Sequence, residues 1–201
     1  MYQINLKIKI MKEINEIYEQ KCIIKNDINE HLPVLKEYAE KCSTVIELGV
    51  RSIVSTWAFL AAHPEKLISL DIVHPKKYIN HDPSGCNLDL VVELAKKNNI
   101  EFEFIESDST KTELPECDMM FFDTLHTYTQ LKKELDLHGN KVKKYMLFHD
   151  TVLFAKNGEV AGEEGISRAI TEFITSNQEW KAEKVLTNNN GLTILKNIKN
   201  T

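Results

Sequence analysis

Thr44-Val-Ile-Glu-Leu-Gly49 is the stretch on which the fold turns. It is short, β-branched and mostly apolar, and it stops at a glycine. That pattern reads as a buried strand running into a tight turn. Working outward, the same alternation recurs. A helix is expected over 54–62, then a strand at Lys66-Leu-Ile-Ser-Leu-Asp71 and a helix over 88–98 with Leu90, Val91, Leu94 and Ala95 inward. Glu101-Phe-Glu-Phe-Ile105, Cys117-Asp-Met-Met-Phe-Phe-Asp123 and Tyr145-Met-Leu-Phe-His149 read as three further strands, the last two separated by a helix over 128–142. After a helix over 166–175, the runs 180–186 and 192–195 are joined by Asn188-Asn-Asn-Gly191. An Asn-Gly step supplies the positive φ angles that a tight hairpin demands.

Alternating β and α units imply a parallel sheet with helices on both faces, and the hairpin adds an antiparallel strand. The expected architecture is α/β: a Rossmann-like, doubly wound, mostly parallel seven-stranded sheet with an antiparallel C-terminal hairpin. Upstream, Ile4, Leu6, Ile8 and Ile10 alternate like a strand, whereas 11–20 reads as a helix, and both readings stand. A helix over 29–42 places Leu32, Leu35, Tyr38 and Ala39 on one face, with Asp27 or Asn29 as its cap. A chain of 201 residues suits one domain, with about 1–42 as a helical cap on a 43–197 α/β core.

Composition excludes several classes. With 42% apolar and 27% charged residues, the chain is globular rather than disordered. A net charge of −5 and scattered lysines argue against a nucleic-acid partner, which needs clustered cations. Cys22, Cys42, Cys86 and Cys117 are far apart and form no CxxC pair, so neither a zinc knuckle nor a disulfide framework is expected. They read as reduced thiols in a cytoplasmic protein. No apolar run approaches a membrane span, and 1–11 lacks a signal-peptide cleavage pattern.

In open α/β sheets ligands bind beyond the carboxyl ends of the strands, where strand order reverses. The expected strand ends carry Glu47 with Gly49, then Asp71, Asp108, Asp123, and His149 with Asp150. Each acid alone is an ordinary turn former; five ends in a row are a site. Gly49 lets the backbone approach a ligand, and Asp71 can accept hydrogen bonds from ribose hydroxyls. Glu47 is expected to face the amino acid portion of a nucleoside cofactor, with Ser55 or Thr56 on the cofactor's own carboxylate and Arg51 in the same loop. Ser107 and Asp108 fall where an adenine edge would lie. The loop lacks G-x-G-x-x-G, which disfavours a pyrophosphate cofactor such as NAD.

Val45-Ile-Glu-Leu-Gly-Val50 and Leu70-Asp71 resemble the cofactor motifs of class I S-adenosylmethionine-dependent methyltransferases. Phe121-Phe-Asp-Thr-Leu-His-Thr-Tyr128, followed by Phe148-His-Asp-Thr151, resembles the methyltransferase-24 or cephalosporin-hydroxylase-like type. Asp27-Ile-Asn-Glu-His-Leu32 and Gly49-Val-Arg-Ser-Ile-Val-Ser-Thr56 are similar to methyltransferase domains fused to glycosyltransferases. The resemblance spans about 27–197 and departs in keeping one glycine in the first motif. It implies S-adenosylmethionine as cofactor, a sugar or glycan hydroxyl as acceptor, and a homo-oligomer or a glycosyltransferase fusion as assembly.

Asp123, His126, His149 and Asp150 are expected at one sheet edge, and two carboxylates from adjacent strand ends suit a hard divalent cation such as Mg²⁺ or Mn²⁺. The arrangement is similar to metal-dependent catechol-type O-methyltransferases. That likeness implies Asp123 and Asp150 as metal ligands and His126 as the base. His149 stands where the family has an acid, either as a third ligand or as an orienting group. A helix start and a nearby cation would both keep His126 neutral near pH 7. The segment 156–165, with three glycines, reads as a lid or a long connection. The competing readings are a methyltransferase directed at nitrogen or RNA, a non-catalytic cofactor-binding domain, and a nicotinamide oxidoreductase.

Overall fold

The computed structural model describes residues 2–78 and 87–199, with side chains from residue 13 onward. Cys86 lies outside the described residues; Cys22, Cys42 and Cys117 are free thiols. Helices α1 (Tyr2–Ile23) and α2 (Leu32–Ala39) open the chain, the second preceded by a 3-10 turn at Asn29–His31. The alternating core follows as β1 (Thr44–Leu48), α3 (Ser55–Ala61), β2 (Lys66–Asp71), α4 (Leu88–Lys97), β3 (Glu101–Glu106) and β4 (Cys117–Phe122). It continues through α5 (Tyr128–His138), β5 (Val142–His149), α6 (Ser167–Ser176), β6 (Trp180–Leu186) and β7 (Leu192–Asn197).

One seven-stranded sheet has the order β3-β2-β1-β4-β5-β7-β6. Pairs from β3 through β5 are parallel, and β7 runs antiparallel to both neighbours. The chain winds outward from β1 to β3, then returns to place β4 on the other side of β1. This reversal between β1 and β4 opens a crevice at their carboxyl ends. Side chains alternate across the pleat. Val45, Leu67, Met119, Phe121 and Leu147 pack under the layer carrying Ile14, Leu35, Trp57, Phe59 and Leu94, while Ile46, Leu48, Met120, Phe122 and Phe148 pack against Leu131, Leu135, Ile170 and Phe173. The layers are therefore α1 to α4 on one face and α5 with α6 on the other.

Three local expectations change. The alternating stretch at the N-terminus is helical throughout α1, which docks through the fully buried Ile14 rather than pairing with a strand. The turn into α2 is organised by Asn26 and Asn29 without a side-chain cap: Asn26 Oδ1 accepts from the amides of Ile28 and Asn29 at 2.9 and 2.7 Å, and Asn29 Oδ1 accepts from the Asn26 amide at 3.2 Å. The helix after β4 stops at His138, and β5 starts at Val142, because Val142 and Tyr145 pair with Cys117 and Met119 of β4. Among the described residues, no helix is long and apolar enough to cross a membrane.

Candidate active site

The crevice at the strand ends is a cleft of about 620 Å³. That is the size of a small-molecule site. Gly49, Arg51, Asp71, Asp108, Asp123, His126 and Asp150 all line it, joined by Asp27, Ser109 and Glu159. β1 and β4 meet at its floor. Gly49 has φ +90°, and a Cβ there would sit 2.0 Å from the carbonyl oxygen of Asp123. The glycine therefore admits the neighbouring backbone and fixes where Asp123 stands.

After β1 the loop takes positive φ at Arg51 (46°) and Ile53 (60°). Such values are uncommon for any side chain and strained for a β-branched one. Within that loop the amides of Val50 and Arg51 donate to Asp71 Oδ2, each at 2.8 Å, while Oδ1 takes the amide of Val73. A carboxylate offers about four acceptor positions, so Asp71 keeps capacity for a ribose hydroxyl. The Arg51 guanidinium crosses the mouth to Asp27 at 2.7 Å.

Glu47 and Ser55, expected at the cofactor, are turned inward. Glu47 is fully buried and accepts from the hydroxyls of Ser55, Thr56 and Ser69 at 2.5 to 2.8 Å, and it does not line the cleft. Its position on β1 opposite Ser69 of β2 points it into the α3 layer, where the hydroxyls of Ser55 and Thr56 wait. Burial lifts its pKa to about 7 against the opposing pull of those hydroxyls. Ser107 also stays off the cleft wall: its Oγ accepts from Thr112, and Ser109 lines the wall instead. Asp108 is held below the usual carboxylate range by Lys111 and Thr110.

At the other end, four titratable groups converge. His126 Nε2 lies 3.3 Å from Asp123 Oδ1 and 3.4 Å from Asp150 Oδ2. Ligand atoms of Asp123, His126 and Asp150 all fall within 4.8 Å of one another. His149 sits beneath them, nearly inaccessible, with Nδ1 at 3.2 Å from Asp123 Oδ1 and 3.3 Å from Asp150 Oδ1. It supports the carboxylates from below and does not line the cleft. Asp150 adopts φ +57°, a conformation aspartate tolerates better than most residues. The hairpin fixes it: the carbonyl of Asn190 accepts from the amides of Val152 and Leu153, and that of Gly191 from Thr151.

The electrostatics correct one expectation. Thr127, not His126, caps α5, so His126 lies ahead of the helix and feels the acids more than the dipole. Burial would lower its pKa, but Asp123, Asp150 and Glu159 outweigh this and raise it to about 9. Asp123 is held well below its normal range despite burial, by the two histidines. Asp150 is raised, chiefly by burial. Without a cation, His126 is therefore charged at neutral pH and itself neutralises the acids.

Sequence reading missed Glu159, Phe154 and Asn190. Each lies on a loop outside the periodic elements, where spacing carries no information. His31 is fully buried, packed edge-on against His149 with ring centroids 5.3 Å apart. Glu30 ties to the hairpin, its amide to Asn189 Oδ1 at 2.9 Å and its carboxylate to Asn188 at 2.6 Å.

No protein-family model and no curated protein matches the sequence. Solved structures do match in shape. A Staphylococcus aureus chain assigned as a caffeoyl-CoA O-methyltransferase has a TM-score of 0.61 at 13% identity, over 93% of this chain and 91% of that one. A Streptomyces achromogenes O-methyltransferase of tomaymycin synthesis, in complex with S-adenosylmethionine, gives 0.58 at 12% identity over 93% and 88%. A Podospora anserina methyltransferase bound to S-adenosylhomocysteine gives 0.57 at 13% identity over 90% and 86%. Likeness at such identities is likeness of fold, and this chain carries the Rossmann-like methyltransferase fold.

Proposed function

We propose that the chain is an S-adenosylmethionine-dependent O-methyltransferase, divalent-metal-assisted, acting on a hydroxyl of a small molecule. The observation that carries this is the union of two half-sites in one cleft: the Gly49–Asp71 loop at β1 and β2, and the Asp123–His126–Asp150 cluster at β4 and β5. Asp71 would hold the ribose, with Asp108 and Ser109 toward the adenine. The kinship to the methyltransferase-24 or cephalosporin-hydroxylase-like type belongs to the same proposal and rests on the motifs. A cytoplasmic setting belongs to the same proposal and rests on the spacing of the cysteines in the sequence.

The donor set fits a divalent cation. Two carboxylates and an imidazole lie with ligand atoms within 4.8 Å of one another, and the buried Asp150 Oδ1 makes no hydrogen bond, only an ion-pair contact with His149 Nδ1 at 3.3 Å. Asp123 and Asp150 would hold the ion. Bound there, it supplies positive charge that lowers the acceptor hydroxyl's pKa, and S-adenosylmethionine supplies the methyl group. With the acids engaged, His126 no longer has to carry the compensating charge and can accept a proton at Nε2. The acceptor oxygen forms the new C–O bond as the S–CH₃ bond breaks, its proton passes to His126, and S-adenosylhomocysteine leaves.

A sugar or glycan is the proposed acceptor, on the strength of the glycosyltransferase-associated resemblance. A second reading rests on the cleft itself. Leu125 and Leu153 are exposed at its wall, and Phe154 stacks on His126 with ring centroids 5.0 Å apart. Those surfaces favour an acceptor with an apolar or aromatic face. Transfer of labelled methyl from S-adenosylmethionine to a panel of free and nucleotide-linked sugars and of phenols separates the two. Product from sugars supports the first reading, product from phenols alone the second. Loss of transfer in EDTA with recovery in Mg²⁺ or Mn²⁺ supports the metal, and full activity in chelator removes it.

A further inference from the structure

We propose that Glu159 is a positioning residue for His126, so that the 156–165 loop is a built wall of the reaction site rather than a lid. Three contacts join the two residues. The Glu159 amide donates to the His126 carbonyl at 3.0 Å. The His126 amide donates to Glu159 Oε2 at 3.3 Å, and the same oxygen lies 3.1 Å from His126 Nδ1. The carboxylate therefore receives an N–H from Nδ1 and leaves Nε2 directed at Asp123, Asp150 and the cleft. Phe154 closes the face of the ring, with planes 18° apart. The imidazole is thus held at its edge and its backbone by the 156–165 loop and at its face by Phe154 just ahead of it.

The loop is itself fixed. Gly158 donates to the Glu163 carbonyl, Gly165 to that of Lys156 and Tyr128 to that of Glu164, all within 2.9 Å. Asn157 and Glu164 form an antiparallel bridge. A Cβ on Gly158 would lie 2.9 Å from the carbonyl oxygen of Glu164 and 3.2 Å from that of His126, so the loop's close approach needs that glycine. An imidazole whose Nδ1–H is fixed by a carboxylate has one tautomer and one orientation, the arrangement that lets the other nitrogen act on a proton.

This inference rests on His126 being the proton acceptor. Its test combines ring-nitrogen NMR on protein labelled at histidine with turnover of the acceptor identified by the methyl-transfer panel. The His126 signal is assigned by its loss in His126→Ala. The Nδ1–H should be protected from exchange in the native protein, should lose that protection in Glu159→Ala, and should keep it in Glu159→Gln, whose amide oxygen still accepts. Turnover in Glu159→Ala should fall roughly 10- to 100-fold while S-adenosylhomocysteine affinity and the KM for S-adenosylmethionine stay unchanged. In the His126→Ala background the same substitution should cost nothing further. Unchanged Nδ1–H protection in Glu159→Ala overturns the inference, as does normal turnover or a loss additive to that of His126→Ala. Normal turnover of His126→Ala itself overturns the base assignment and the inference with it, so the two failures are told apart.

Discussion

Two side chains, Asp71 and His126, bear most of the chemical account. Asp71 spends its Oδ2 on two loop amides, which shapes the loop, and the proposed cofactor mode adds the ribose to its partners. Asp71→Ala should lower S-adenosylhomocysteine affinity by about 1.5–3 kcal/mol, the usual worth of hydrogen bonds to a charged group. His126→Ala should lower turnover roughly 10²–10⁴-fold with cofactor affinity nearly unchanged. Glu47 makes a pH statement. Its carboxyl titrates near 7 in the folded protein against 4.5 for the free group, a raised value. The stability it confers is present in full below pH 4.5 and is lost as pH rises through 7. Glu47→Gln should therefore remove part of the loss seen between pH 5 and 8 in urea unfolding, up to about 3 kcal/mol. Equal pH dependence in both proteins would show the network to be ionised throughout.

Among elements, what was legible was what repeats. The strands around Glu47, Asp71 and Asp123 are short, mostly apolar runs with an acid at or near the carboxyl end, and such runs declare themselves by composition alone. Strand-end position points to Asp71, Asp123 and Asp150, whereas His126 as a base is what the likeness to catechol-type O-methyltransferases implies. Strand-end logic failed for Glu47, because the face a strand residue takes depends on its neighbours: Ser69 across the sheet and Ser55 and Thr56 above it draw the carboxylate inward. It failed for Glu159 because a loop residue reaches His126 only through a turn whose path no periodicity encodes. Gly49 was legible as a turn, yet its closest partner is the Asp123 backbone, a contact between strands far apart in sequence. Gly49→Ala combines an unfavourable positive φ with a backbone clash, and unfolding should show a loss above about 2 kcal/mol. A loss of a few tenths would mean that β1 and β4 have room to part.

For the whole molecule, the order β3-β2-β1-β4-β5-β7-β6 brings both half-sites to one edge. Winding outward from β1 and returning beside it as β4 places the loop of Gly49 against Asp123, and the closing hairpin then braces Asp150 through the carbonyls of Asn190 and Gly191. Alternation of elements was enough to read a doubly wound, mostly parallel sheet with a closing hairpin, since parallel strands joined by helices wind in few ways. Acceptor identity was not, because the cleft's mouth is built from loops. The central claim is that the β1–β2 end of this cleft binds S-adenosylmethionine through Asp71. Titration calorimetry with S-adenosylhomocysteine, run on the native protein and on Asp71→Ala with NAD as a control, tests it most directly. The account predicts one site on the native protein, weakened roughly 10- to 100-fold by the substitution, and no binding of NAD. Absence of binding, equal affinity in both proteins, or tight binding of NAD would contradict it.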